Sequence, residues 1–165
     1  MIKRLALNLF GGWYRMSRWF PRATLMRLRD AIATGERRHA GELRVAIEAR
    51  YSPWPVLAGW SPRQRAEHVF ALLRVWDTRA NTGVLLYLQL AERRVELLAD
   101  RGIAARVGAG EWQAVCDRLA ADLRGGPAEA AVLAAIARVH DLLATHFPAT
   151  PDNPRELPDV PFRIR

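Results

Sequence analysis

The sequence has one cysteine, Cys116. A lone thiol excludes an intramolecular disulfide and any metal site built on several cysteines, and it fits a reducing compartment. Also missing is a run of about 18 apolar residues, the length that a bilayer-spanning helix needs. The start, "MIKRLALNLFGGWYRMSRWF", imitates a secretory signal, with Lys3 and Arg4 ahead of apolar residues. It breaks at Asn8 and Gly11, continues into Arg15 and Arg18, and offers no small-residue cleavage site. A cytoplasmic protein is therefore expected. The chain has no Cys-x5-Arg phosphatase loop, no Gly-x-Gly-x-x-Gly and no Walker lysine. "RVGAGE" at 106–111 merely places glycine before a helix, an unspecific signal for anion binding. Internal repeats and low-complexity tracts are absent as well.

What is present is an ordinary globular composition. The 165 residues are 50% hydrophobic and 25% charged, enough for one core and too few for two comfortable domains. Lys and Arg number 25 against 17 Asp and Glu, a net +8, and the excess is uneven: residues 1–50 hold eleven basic and four acidic side chains. Whatever the basic excess does, it does near the N-terminus.

Periodicity orders the elements. Pro21 suits a first helical turn, and Leu25, Leu28 and Ile32 continue a helix to about Arg38. "ELRVAIEA" alternates Leu43, Val45 and Ile47 against Glu42, Arg44 and Glu48, which predicts a strand with one solvated or lightly covered face. "YSPWPVLAGWSP" reads as a loop, and Ser61, Pro62 and Gln64 form a capping-box start for a helix to about Trp76. "GVLLYLQL" and "RVELLA", separated by about four residues, form an antiparallel hairpin whose first strand is central, because it is apolar on both faces. Two more helices follow, one near 110–124 and one marked by Val132, Ile136, Val139, Leu143 and Phe147 that ends before Pro148, and then a proline-rich tail. A strand, helix, strand crossover makes the first two strands parallel. The expected fold is α/β: a three-layer α/β/α sandwich with a small mixed sheet of three to four strands and about four helices. It divides into an arm (1–20), the domain (21–148) and a tail (149–165).

These strand directions bring Glu42, Asp77, Asn81, Asp100 and Arg101 to one rim of the sheet, with His39 just before Gly41. Three carboxylates and an amide oxygen, Glu42, Asp77, Asp100 and Asn81, are a donor set suited to Ca2+ or Mg2+, and such a cation can polarise a phosphoryl group. The plain alternative is a helix cap, a turn Asn and solvated charges.

"GELRVAIEA", "ANTGVLLYLQLAERRVELLADRGI", "GEWQAVCDRL" and the closing "ATHFP" together resemble the TPM domain family, over about residues 22–148. That family includes thylakoid acid phosphatases, photosystem-repair proteins and an animal receptor modulator. The resemblance implies an α/β/α sandwich and, in some members, weak acid phosphatase activity with a divalent-cation site. Carried over, Glu42, Asn81 and Asp100 occupy the family's polar rim, and Glu92 stands where an Asp is more usual. The cleavable signal and C-terminal membrane span of the common arrangement are missing from this sequence.

The remaining candidates are weighed singly. Cys116 falls on an apolar helical stripe and reads as a buried structural thiol. His39 and His68 could act as acids, bases or ligands, while His140 and His146 lie on the last helix, and a lone histidine is most often core or surface. In the arm, Lys3, Arg4, Trp13, Arg15, Arg18, Trp19 and Phe20 interleave charge and aromatics as an interfacial anchor requires, and packing on the arm's own domain is the equal alternative. Nucleic acid is disfavoured, since no binding motif appears. The expectation is an accessory domain on the inner face of the membrane, with an anionic surface or a membrane protein as partner. The rival is a metal-assisted phosphatase acting on phosphomonoesters. The sequence leaves the oligomeric state open.

Overall fold

The computed structural model describes residue 8, residues 12–151 and residues 155–164. Four strands, β1 (Glu42–Glu48), β2 (Gly83–Gln89), β3 (Arg94–Ala99) and β4 (Phe162–Ile164), form one sheet in the order β3-β2-β1-β4. β1 pairs in parallel with β2 and β4, and β2 pairs antiparallel with β3. Among the described residues there are seven helices: α1 (Gly12–Trp19), α2 (Arg22–Gly35), α3 (Pro53–Leu57), α4 (Pro62–Leu72), α5 (Arg101–Ala104), α6 (Ala109–Gly125) and α7 (Ala128–His146). The excess over the expected four lies in α1, α3 and α5, none longer than eight residues. Such pieces sit in glycine- and proline-containing stretches too short for a 3.6-residue period to register.

Alternate residues along each strand feed two separate cores. Leu43, Val45 and Ile47 of β1 join Val84, Leu86 and Leu88 of β2 beneath α1, α2, α6 and α7, where Phe20, Leu28, Ile32, Leu119 and Val139 are fully buried. On the other face, Ala46, Leu85, Tyr87 and Leu98 pack against Val56 of α3, Ala66 and Val69 of α4, and Leu157. The result is the three-layer sandwich. Cys116 belongs to the first core, and burial pushes its thiol up to about 12.

Two expectations change. The second face of β1 is not solvated: all seven of its residues are buried. Its polar side chains have partners inside instead. Arg44 donates to the carbonyls of Pro158 and Val160. Glu48 accepts from Arg65 at 2.7 and 3.0 Å and from the Tyr87 hydroxyl. The other change is at the end of α4, which starts on the Ser61–Gln64 capping box as expected but stops at Leu72. Arg74 takes φ +53 there, a left-handed conformation that ends a helix, and Trp76 is left exposed.

The segments on either side of the central domain are packed onto it. Met16 and Phe20 enter the first core, and β4 extends the sheet. Gly12 is required by this packing, because a Cβ there would lie 1.7 Å from the carbonyl oxygen of Ala49.

The Glu48–Arg65 pair yields a test. Breaking a buried ion pair by removing one partner leaves an uncompensated charge and costs about 3–5 kcal/mol. Arg65→Met is expected to lower unfolding free energy by that order in urea titration. Adding Glu48→Met on top should recover part of the loss.

Candidate functional site

Two ends of the sheet carry polar clusters. At the amino ends of β1 and β2, Glu42 lies opposite Gly83 and Val84 opposite Ala99, so Glu42, Asn81 and Asp100 share one edge. Asn81 has φ +55, and its carbonyl accepts from the Gly102 amide at 3.1 Å. A Cβ on Gly102 would come within 2.6 Å of that oxygen, which explains the glycine after Asp100 and Arg101. Asp100 caps α5 through the Arg101 amide at 2.7 Å, and the Arg101 guanidinium donates to Asn81 Oδ1 at 3.0 Å. Glu42, raised by burial, accepts from the Leu157 amide at 3.1 Å. Asp77 is turned to Arg74, 2.9 Å away, and is half exposed.

This arrangement bears on a cation. A hard divalent ion takes six to eight oxygens. Of the four residues, Glu42, Asp77 and Asn81 are engaged with protein donors, and Asp100 Oδ2 is buried with no partner. Among the described residues no group of three His, Cys, Asp or Glu side chains is placed to hold a metal. As arranged, the donors do not fit a hard cation, and Arg101 supplies the positive charge that Asn81 faces.

Sequence reading missed what surrounds this rim. The segment 155–164 lies over it: Glu156 accepts from the Arg79 amide, and Arg155 donates to the Ala33 carbonyl. Beneath it Glu36 accepts from the Leu43 amide at 2.8 Å, and burial, with Glu42 and Asp159 adding to it, drives its carboxyl to about 8. Nothing in the local pattern of "ATGERRHAG" marked Glu36 as buried. His39 and His140 were read singly, yet they form a pair, Nε2 to Nδ1 at 2.7 Å, with stacked rings. The Gly41 amide donates to His39 Nδ1 at 3.2 Å, so His39 carries its proton on Nε2 and donates to His140 Nδ1. The His140 proton is then on its own Nε2, which is buried without a partner.

Burial lowers both imidazoles to about 4. An unfolded histidine takes up its proton near 6.5, so the pair's contribution to stability is complete above that pH and is lost as pH falls towards 4. Glu36 has the opposite sign, since its folded pKa is raised. In a Glu36→Gln background the histidines are expected to take about 2 kcal/mol each off stability between pH 7 and pH 5, at 1.36 kcal/mol per pKa unit, offset in part by Glu42 and Glu96, whose carboxyls burial also raises. Urea midpoints across that range check it, and a flat profile would show that the two rings accept protons while folded.

The second cluster is at the carboxyl ends of β1 and β2, where open α/β sheets commonly bind ligands. Asn8, buried, accepts from the Tyr51 amide at 2.8 Å and from Gln89 Nε2 at 3.0 Å, and it donates to Glu92 Oε1 at 2.9 Å. Arg15 donates to the carbonyls of Leu90 and Ala91 in the hairpin turn, at 2.9 and 3.3 Å. Asn8 and Arg15 thus fasten the N-terminal segment across the sheet ends. Of the residues expected at a membrane or partner surface, Trp13 is 47% exposed and Arg18 is exposed, Trp19 is half-buried beneath the Arg15 guanidinium, and Phe20 is in the core. Lys3 and Arg4 lie outside the described residues. Beside the hairpin turn is a cavity of about 110 Å3, lined by Trp19, Leu88, Leu90 and Leu123 and by Arg93, Arg94 and Arg124.

A mixed sheet with helices on both faces and a parallel β1–β2 crossover defines an α/β/α sandwich domain. The chain belongs to the TPM domain family, whose model matches residues 16–142. It is similar to the solution structure of the BA42 protein from the psychrophilic bacterium Bizionia argentinensis, at 25% identity and TM-score 0.75, over 86% of this chain and 92% of that one. The N-terminal domain of a P. gingivalis protein shares the fold at 18% identity and TM-score 0.55, over 80% and 83% of the two chains. The comparison with curated proteins found no match. Among the described residues no helix is long and apolar enough to cross a membrane.

Proposed function

We propose that this TPM domain is a non-catalytic accessory domain that sits on anionic membrane surfaces by the hairpin end of its sheet, on the cytoplasmic side. The carrying observation is that Trp13 and Tyr14, 47% and 69% exposed, stand on α1 beside Arg18, while Arg93 and Arg94 project from the hairpin turn at the same end. Exposed aromatics of this size with arginines around them are what an interfacial site uses: the rings enter the headgroup layer and the guanidiniums meet lipid phosphates. Arg15 and the close approach of Gly12 to Ala49 hold α1 to the sheet ends, which fixes where those side chains are presented.

The rival, metal-assisted hydrolysis of phosphomonoesters, draws less support. It needs free oxygens at the opposite rim, and there Asn81 faces Arg101 while Glu42 faces a backbone amide. The buried, unpartnered Asp100 Oδ2 is the observation that keeps Ca2+ or Mg2+ in the test.

Sedimentation with vesicles decides between these. Vesicles containing phosphatidylglycerol should carry the protein down, neutral phosphatidylcholine vesicles should not, and rising salt should release it. The Trp13→Ala, Tyr14→Ser double variant should lose most of the binding, with an unchanged melting temperature. Ca2+ or Mg2+ should leave the melting temperature where it is. Failure to bind anionic vesicles, together with a saturable rise in melting temperature and hydrolysis of a generic phosphomonoester, would replace this reading with the enzymatic one.

A further inference from the structure

We infer that the cavity beside the hairpin turn binds one anionic phospholipid molecule, with phosphate on Arg93, Arg94 and Arg124 and a short acyl segment against Trp19, Leu90 and Leu123. The inference deepens the membrane reading and rests on it for the source of the ligand.

The charge is only partly matched on the protein's own side, by the field of Arg94 on Glu96. Arg93 and Arg94 leave the hairpin turn and Arg124 stands in the last turn of α6, and all three line the same cavity. Among the described residues none of the three guanidiniums makes an ion pair within 4 Å or a side-chain hydrogen bond. Some surface arginines do: Arg27 meets Glu129, Arg38 meets Asp141 and Arg118 meets Asp122. Arg15 adds a fourth cation nearby. Its guanidinium is lowered by burial and then by the charge of Arg93, which is the signature of like charges held together. Several guanidiniums on one rim repel one another and attract a compact polyoxygen anion, which they can grip with paired N–H groups.

The floor has the opposite character. Leu88 and Leu90 are 1% and 2% exposed, and Leu123 and the Trp19 ring complete an apolar wall. Ala120 on α6 leaves space that a larger side chain would fill. A free phosphate or an acidic peptide would use the arginines and leave the half-buried Trp19 ring and Leu123 in contact with water. A neutral lipid would use the floor and leave the arginines unpaired. An amphiphile with an anionic head and an apolar tail satisfies both, at the end of the protein where Trp13 and Tyr14 reach for the interface. The volume, about 110 Å3, suits the proximal part of one chain.

The test uses the full chain and soluble single-chain probes, by calorimetry below their aggregation concentrations. Lysophosphatidylglycerol carries both features, lysophosphatidylcholine has the same tail on a neutral head, and glycerol 3-phosphate has no tail. The expected result is saturable one-to-one binding of the first, at least tenfold tighter than either of the others. Arg93→Gly should cut that affinity at least tenfold. This variant is not a risk to the fold: Arg93 has φ +54, which glycine adopts without strain, so its melting temperature should stay or rise. Ala120→Phe should abolish binding by filling the floor while keeping every arginine.

Equal affinity for all three probes, tighter binding of a poly-glutamate peptide than of the lysolipid, or full affinity in Arg93→Gly would overturn the inference. Its failure can be told from that of the membrane reading. If phosphatidylglycerol vesicles bind and the lysolipid does not, the surface reading stands and the pocket does not. If the lysolipid binds in an Arg93-dependent way and vesicles do not, the pocket stands alone.

Discussion

Strand β1 is buried on both faces although one of them carries Glu42, Arg44 and Glu48, and much of the architecture follows from finding partners for those three. An unpaired buried charge costs several kcal/mol, so each has to be met inside. Glu48 is met by Arg65 from α4 and by Tyr87 from β2, which ties the second helical layer to the sheet. Arg44 is met by the carbonyls of Pro158 and Val160, and Glu42 by the Leu157 amide. The proline-rich C-terminal segment is thereby drawn over the sheet edge, where β4 pairs with Ala46, Ile47 and Glu48. A stretch without helical or strand periodicity becomes structural because its backbone supplies what buried side chains lack.

The same accounting at the opposite end draws in the N-terminal segment. The carboxyl ends of β1 and β2 and the hairpin turn expose backbone groups, and Asn8 and Arg15 satisfy them. That placement decides which aromatics remain outside. Phe20 and Met16 go to the core, Trp19 leans on the cavity, and Trp13 and Tyr14 stay in contact with solvent. The interfacial face is thus a by-product of how α1 is fastened, and the arginines of the hairpin turn and α6 stand beside it. The two ends of the sheet differ in kind: at the amino end Asn81 faces Arg101 and Glu42 faces a backbone amide, and the carboxyl end carries exposed rings and a cavity lined by Arg93, Arg94 and Arg124.

Much of the fold was legible because it is written locally. The apolar run from Gly83 gives a central strand, the Ser61–Gln64 box starts α4, and the crossover rule makes β1 and β2 parallel. Asn81 and Asp100 met at one edge for the same reason, since strand direction and hairpin geometry put them there. What escaped is non-local. Asn8 and Glu92 are 84 residues apart, and His39 and His140 are 101 apart, so no window of sequence contains either pair. The alternation of β1 misled for a related reason: a polar residue facing a helix or a passing segment looks the same in sequence as one facing water. Asp77 has charge and proximity in sequence, but Arg74 three residues earlier claims it.

Amide hydrogen exchange, with anionic vesicles and separately with Ca2+, tests the division of labour between the two ends of the sheet most directly. Phosphatidylglycerol vesicles should slow exchange in residues 12–20 and 90–94 and leave residues 78–82 and 100–104 unchanged, while Ca2+ should change neither region. Slowed exchange at 78–82 and 100–104 on adding Ca2+, with no effect of vesicles on 12–20 and 90–94, would contradict it.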